Sequence, residues 1–290
     1  RMYRYEDDSL MLHNDLYQIN MAESYWNDGI HERNAVFDLY FRNMPFGSGY
    51  AVFNGLKRMI QFIENFHFSD SDIEYLQSIG YKNDFLKYLK NLKFTGNIRA
   101  MQEGELCFGN EPLLRVEAPL IQAQLIETIL LNIVNFHTLI TTKASRIRQV
   151  APQDTLMEFG TRRAQEIDAA VWGARAAYIG GFDSTSNVRA GKLFGIPVSG
   201  THAHALVQTY GDEYKAFKIY AERHKNCVFL VDTFHTLKSG VPTAIKVANW
   251  VQQAISELTL NNLQTEIVDL KEWDLPLFAG AHPPATGIYD

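Results

Sequence analysis

Four times between residues 156 and 250 the sequence passes from a short apolar run into a stretch with helical periodicity. This alternation limits the fold more than any other feature. The runs are LMEFG (156–160), AYIGGFD (177–183), PVSGTHAHA (197–205) and CVFLVD (227–232), each followed by helix-like sequence. Successive strand–helix units cross over with one hand and build a parallel sheet, and in such sheets ligands gather at the carboxyl ends of the strands. The residues this reading brings there are 159–163 (FGTRR), 180–187 (GGFDSTSN), 200–204 (GTHAH) and the Asp232-Thr233 pair.

The preceding sequence has a different rhythm. Residues 11–28 read as a helix with Asn14 as its cap, 35–42 as a strand, and 50–95 as helices interrupted at SDSD and GYKND, where Ser and Asp make good helix starts. Residues 94–119 carry short β-like pieces between Gly-Asn and Gly-Glu turn signals, as hairpins do. A mixed α+β domain over 1–119 is therefore expected. The longest apolar stretch, 120–140, contains Gln122, Gln124, Glu127, Asn132, Asn135 and His137, which are costly in lipid, so it reads as a buried helix. A chain of 290 residues that is 46% hydrophobic can fill a large core, and a net charge of −6 gives no basic field for nucleic acid or an anionic membrane. The opening RMYRYEDDSL lacks the apolar region of a secretory signal, and Cys107 and Cys227 sit in strand-like runs as free thiols. Together these predict a cytoplasmic protein.

Several residues at the strand ends point to chemistry. Gly180 and Gly181 would let backbone approach a ligand, and Ser184, Thr185 and Ser186 would offer hydroxyls at a helix start, a natural place for an anion. Arg162 and Arg163 can grip a carboxylate or phosphate. In a strand, His202 and His204 would face the same side. With Asp232 they match a metal-dependent hydrolase, whereas one of them alone could be a nucleophile that accepts a phosphoryl group; the residue types leave both open. Neither a G-x-x-x-x-G-K-[ST] loop nor a strand followed by G-x-G-x-x-G is present. The acidic SDSDIE (69–74) reads as a solvated helix start rather than a metal site.

The motifs LHNDLYQINM, FRNMPFGSGYAVFNGL, TTKASRI, MEFGTRRAQ, GGFDSTSNV and GTHAHA, in this order, resemble nicotinate phosphoribosyltransferases over roughly residues 3–249. The resemblance implies an N-terminal α/β domain and an irregular α/β barrel. The implied reaction makes nicotinate mononucleotide from nicotinate and phosphoribosyl pyrophosphate, coupled to hydrolysis of ATP with Mg²⁺. His204 matches the histidine that ATP phosphorylates in that family. Phe159, Gly160 and Thr161 match the nicotinate pocket, Tyr17 matches an aromatic that stacks on the ring from a second subunit of a homodimer, and Arg162 would meet the nicotinate carboxylate or a phosphate. Ser184, Thr185 and Thr201 are implied as further substrate contacts.

The pattern stops near KVAN (246–249). Later family loops that handle phosphoribosyl pyrophosphate, of the Arg-Leu-Asp-Ser-Gly-Asp kind, are not found, and residues from about 246 to 290 resemble a fragment of the flavodoxin-like NADPH-dependent FMN reductases. That fragment lacks the phosphate loop of those reductases, so no flavin is expected. Ala244, Val247, Ala248, Val251, Ala254, Ile255 and Leu258 give one apolar stripe across the junction, and TEIVDL (265–270) reads as a further strand. The expected α/β architecture is an N-terminal α+β domain (1–119), a half α/β barrel of phosphoribosyltransferase type (120–249) and a flavodoxin-like segment (250–290), as in a chimeric or misassembled chain. Loss of the later loops gives a second reading, an impaired remnant that binds nicotinate or phosphate without turnover.

Overall fold

The computed structural model describes residues 9–224 and 227–257. The chain divides into two compact units after Gly200, a boundary inside the segment expected to form one partial barrel. In the first unit, helix α1 (Leu16–Asn27) precedes strands β1 (Asn34–Leu39) and β2 (Ala51–Val52) and helices α2 (Leu56–Glu64), α3 (Asp70–Ser78) and α4 (Asn83–Asn91). Strands β3 (Asn97–Ala100), β4 (Leu106–Cys107) and β5 (Leu114–Pro119) follow. Strand β5 is the centre of an antiparallel sheet ordered β1-β5-β3, and β2 pairs with β4; the short strands expected at 94–119 are present, but consecutive ones do not pair as hairpins, since β4 leaves to join β2. Leu114, Val116 and Ala118 alternate inward along β5, while Arg115 and Glu117 point outward, Arg115 making a two-pronged bond to Asp38 across the ladder. The inward face meets a core that includes Phe62, Phe66, Phe85, Leu89 and Ile129.

Local chemistry explains the helix boundaries. Ser69 starts α3 through a capping box: its hydroxyl accepts the Asp72 N–H at 3.1 Å while the Asp72 carboxylate accepts the Ser69 N–H at 2.8 Å. The acidic run is thus a helix start, although Asp72 is buried rather than solvated, and it also accepts the Ser9 hydroxyl. Asn14 does not cap α1. The N-cap position belongs to Asp15, and Asn14 donates to the Leu125 carbonyl at 2.7 Å. That carbonyl lies at a break the sequence pattern did not reveal: the long apolar stretch forms two helices, α5 (Leu120–Leu125) and α6 (Glu127–Val150), separated at Ile126.

The polar face of α6 locks its neighbours together. The hydroxyls of Thr142 and Thr138 accept the N–H groups of Val52 and Asn54 at 2.9 and 3.2 Å. Thr141 accepts the Asn54 side-chain amide and donates to the Ala176 carbonyl at 3.0 Å, within helix α7 (Glu166–Ile179). These groups are buried, so each bond satisfies an atom that would otherwise be left without water. Beside them Arg175 grips Glu103 through two bonds, and Glu103 also accepts the N–H groups of Gly55 and Lys57 at the start of α2. Burial pushes the Glu103 carboxyl up, but Arg175 and the two amides outweigh it and hold it below the usual carboxylate range.

The parallel part is sparser than the alternation predicts. Strands β6 (Met157–Glu158) and β7 (Ser184–Thr185) pair in parallel, and Thr185 bridges Val198 in the same sense. The run at 177–183 is not a strand: Ala177 to Ile179 complete α7, because Ala174, Ala176 and Ala177 are small, good helix formers packed in the interior, and the chain leaves the helix at Gly180. Helix α8 (Val188–Phe194) follows β7. Beyond Gly200 the run at 197–205 gives only a Thr201–Val228 bridge before α9 (His204–Tyr210), α10 (Glu213–Arg223) and α11 (Val241–Glu257). Apolar residues of the expected strands, Met157, Phe159, Val198 and Val228, stay partly exposed, and a pleated surface open on one face does not reward a longer ladder. Parallel order is therefore retained, but the extended strands of a half barrel are not.

In the second unit α11 passes residues 249 and 250 as one helix, as its apolar stripe predicts. Val247 is fully buried against Val207, Ala216 and Phe217, with Ala244, Trp250 and Val251 alongside. Residues 258–290, with TEIVDL and most of the flavodoxin-like segment, lie outside the described residues. Of the two cysteines, Cys107 is buried and Cys227 only partly so. No helix among the described residues is long and apolar enough to cross a membrane.

One buried group on α6 makes stability depend on pH. His137 is only 2% exposed, its Nδ1 lies 2.7 Å from the Ile133 carbonyl and so carries the proton, and burial, aided by Arg58, pushes its pKa down to about 4. The unfolded chain therefore binds a proton between pH 6.5 and about 4 that the folded chain refuses. Stability should fall as pH is lowered through that window, by up to roughly 3 kcal/mol. Urea titrations of wild type and His137→Gln at pH 7 and pH 4.5 should give a smaller loss for the variant; equal losses would contradict this assignment.

Candidate functional site

The FGTRR loop leaves β6 directly after Glu158. A short 3₁₀ turn, Thr161–Arg163, closes it, with the Arg163 N–H donating to the Gly160 carbonyl at 2.9 Å. Phe159 is 44% exposed, and Thr161, Arg162 and Arg163 are exposed too. The loop thus offers an aromatic face, a hydroxyl and two guanidiniums to solvent. The Gly160 N–H donates to the Glu158 carboxylate, and a Cβ at this position would lie 2.8 Å from Glu158 Oε1, so a larger residue here would have to displace that carboxylate.

At β7 the structure changes the expected roles. Thr185 is fully buried; its hydroxyl donates to Glu158 Oε2 at 2.7 Å and accepts the Asn187 N–H at 3.0 Å. Ser184 is buried too, and its hydroxyl has no hydrogen-bond partner among the described residues. The Thr185 hydroxyl is thus fully engaged with protein, whereas that of Ser184 is buried but unpaired. Helix α8 is instead capped by Asn187, whose side chain accepts the Ala190 N–H at 2.9 Å. Gly180 and Gly181 are closely covered by α6. A Cβ on Gly180 would lie 2.6 Å from both the Thr141 carbonyl and the Ala144 side chain of α6, and Gly181, at φ +103°, lies under Arg148.

Arg148, which the sequence reading missed, organises this end of the sheet. Its guanidinium donates to the carbonyls of Gly181 and Asp154, both at 2.7 Å, and of Ala151, and pairs with Asp183 at 2.6 Å. Asp183 in turn accepts the Leu156 N–H, and this bond together with Arg148 holds its carboxyl below the usual carboxylate range. In the sequence Arg148 is one charged position on a helical pattern, and nothing local shows that it reaches a loop more than thirty residues on. Glu158 was missed because it reads as the polar position of an apolar strand.

Tyr17 stands apart from this loop on α1. Half-exposed, it lines a cavity of about 440 Å³ with Tyr40, Arg42, Asn132 and Asn135, and residues 159–162 are not in that lining. The first unit by itself therefore does not bring Tyr17 to Phe159.

In the second unit the two histidines separate. Thr201 is exposed and donates its hydroxyl to the His202 carbonyl. His202 is 8% exposed and sits among Phe217, Tyr220 and Phe229, its Nε2 accepting the Leu230 N–H at 3.1 Å. His204 opens α9, exposed, with Nδ1 3.2 Å from the Thr233 hydroxyl and Nε2 3.9 Å from Asp232. A strand that would place both rings on one side is absent, and the His202 lone pair is already used. Among the described residues no group of three His, Cys, Asp or Glu could hold a metal ion. The hydrolase reading fails on these two facts, and His204 remains as an accessible imidazole.

Residues 12–135 match the model of the nicotinate phosphoribosyltransferase N-terminal domain. A nicotinate phosphoribosyltransferase of Bacillus subtilis is 67% identical over 247 residues, 85% of this chain. The chain belongs to the nicotinate phosphoribosyltransferase family. An Arabidopsis thaliana relative, nicotinate phosphoribosyltransferase 2, is 48% identical over 201 residues, 68% of this chain. The crystal structure of human nicotinic acid phosphoribosyltransferase matches with a TM-score of 0.74 at 33% identity, over 81% of this chain and 57% of that one. Nicotinate-nucleotide pyrophosphorylase from Pyrococcus furiosus, at 23% identity and a TM-score of 0.67, shares the fold. The chain spans 50% of the Bacillus relative and 36% of the Arabidopsis one.

If Gly180 serves packing against α6 and not ligand approach, Gly180→Ala should destabilise the fold by roughly 1–3 kcal/mol through overpacking. Urea denaturation measures this; an unchanged midpoint would show that α7 yields at no cost.

Proposed function

We propose that this chain forms nicotinate mononucleotide and pyrophosphate from nicotinate and phosphoribosyl pyrophosphate, coupled to hydrolysis of ATP, in cytoplasmic salvage toward NAD. The observation that carries the reading is the 67% identity to the Bacillus nicotinate phosphoribosyltransferase, in a chain whose FGTRR loop and His204 are both open to solvent. Phe159, Gly160 and Thr161 form the nicotinate pocket, and Arg162 supplies positive charge to the nicotinate carboxylate or a phosphate. Thr201 is a further substrate contact. In a homodimer, Tyr17 of one subunit stacks on the pyridine ring held by the other. The nicotinate ring nitrogen already carries its lone pair, so attack on the ribose carbon needs no general base; the protein's part is to position the ring and meet the departing charge.

His204 suits phosphoryl storage. With Nδ1–H donated to the Thr233 hydroxyl, the Nε2 lone pair is the nucleophile: it forms the N–P bond to the γ-phosphorus while the bond to the β-phosphate oxygen breaks and ADP leaves with the electron pair. Mg²⁺ fits as a companion of the substrate polyphosphates, because the described residues offer it no carboxylate or imidazole cage. When bound it neutralises phosphate charge.

Incubation with γ-³²P-ATP and Mg²⁺ should place an acid-labile, alkali-stable label on the peptide containing His204, and His204→Ala should carry none. Label retained in the variant would overturn this role. Arg162→Ala should weaken nicotinate binding by calorimetry about ten- to a hundredfold, the worth of one charge-assisted contact; an unchanged affinity would remove Arg162 from the pocket.

A further inference from the structure

We infer that Glu158 and Thr185 form a paired positioning device that sets the shape of the FGTRR loop, so that Thr185 serves nicotinate recognition from behind the pocket and not by touching the substrate. The inference rests on the pocket assignment proposed above. A chain of bonds carries it. The Gly160 N–H, inside the loop, donates to one oxygen of the Glu158 carboxylate. The other oxygen accepts the Thr185 hydroxyl at 2.7 Å. Thr185 can give its only proton to Glu158 because its oxygen is held from the other side by the Asn187 N–H at 3.0 Å, and Asn187 is itself fixed as the cap of α8. The two residues are also partners in the parallel ladder, Glu158 opposite Thr185, and the Glu158 carbonyl accepts the Ser186 N–H. The loop after β6 is thereby tied to the start of the helix after β7.

The chemistry of the pair is specific. A carboxylate can accept both bonds at once, whereas an amide has one acceptor oxygen and must leave either the Gly160 N–H or the Thr185 hydroxyl proton without an acceptor; with Thr185 holding its proton toward Glu158, the oxygen goes to Thr185 and the Gly160 bond is lost. Complete burial of Thr185 closes the alternative in which its hydroxyl meets a ligand. The Gly160 amide is already bound to protein, so this residue contributes to the pocket by its small size, not as a donor to substrate. A two-residue ladder such as β6–β7 has little rigidity of its own, and a side-chain bridge between its partners supplies what the backbone does not.

The test uses the full chain, with Glu158→Gln, Thr185→Val and Thr185→Ser, each first shown to be folded by circular dichroism. Hydrogen exchange of the Gly160 amide, followed by NMR, should speed up at least about tenfold in Glu158→Gln and in Thr185→Val, while Thr185→Ser keeps the protection. In turnover assays the first two variants should raise KM for nicotinate about tenfold with a much smaller change in kcat, and their double mutant should be no worse than the poorer single one, because both break the same link. Unchanged Gly160 protection in Glu158→Gln, or strictly additive effects of the two substitutions, would overturn the inference. If wild type makes no nucleotide, the proposed reaction fails, and the exchange measurement alone decides whether Glu158 and Thr185 position the loop.

Discussion

The polar face and C-terminal end of α6 are what the rest of the first unit depends on. Three threonines on that face bond the β2 connection and α7, and Arg148 near its end bonds four carbonyl and carboxylate groups around β6 and the 180–183 turn. A helix that also carries apolar residues into the core is thereby fixed against the backbone of its neighbours, where each bond replaces one to water at a buried atom. Glu103 and Arg175 add a second clamp between the start of α2 and α7. Arg148 fixes the 180–183 turn and the segment before β6, which the short parallel ladder cannot hold by itself.

Buried side chains that complete their hydrogen bonds within the protein are distinct from the groups proposed to bind substrate. Thr185, Asp72 and His202 are buried and spend their polar atoms on protein, while Phe159, Thr161, Arg162 and His204 are open to solvent. Such a division follows from the cost of leaving a buried polar group unpaired: a residue whose hydrogen bonds are complete holds shape, and a residue free to bind must be reachable. His202 and His204 illustrate it two residues apart, one ring stacked among aromatics with its lone pair used, the other at a helix start beside Thr233 and Asp232.

Much of this was legible in the sequence. The helices between 50 and 95, the helix start at Ser69, the presence of short strands between 94 and 119, the strand at 157–158 and the single helix across residues 249–250 all follow from local propensity and periodicity. What could not be read depends on contacts distant in sequence. Alanines at 174–177 look the same before a strand as in the last turn of a helix, and only packing on α6 decides between them. Gly180 and Gly181 carry the composition of a ligand loop, yet the close neighbour is a helix. Two histidines one residue apart read as a strand pair until the backbone between them turns into α9. Glu158 and Arg148 gave no local signal because their partners are 27 and 33 residues away.

The proposed nicotinate phosphoribosyltransferase reaction is tested most directly by mixing the purified 290-residue protein with nicotinate, phosphoribosyl pyrophosphate and Mg-ATP and measuring nicotinate mononucleotide and ADP together. The account predicts nucleotide formed in step with ADP. Folded protein that yields neither would contradict it.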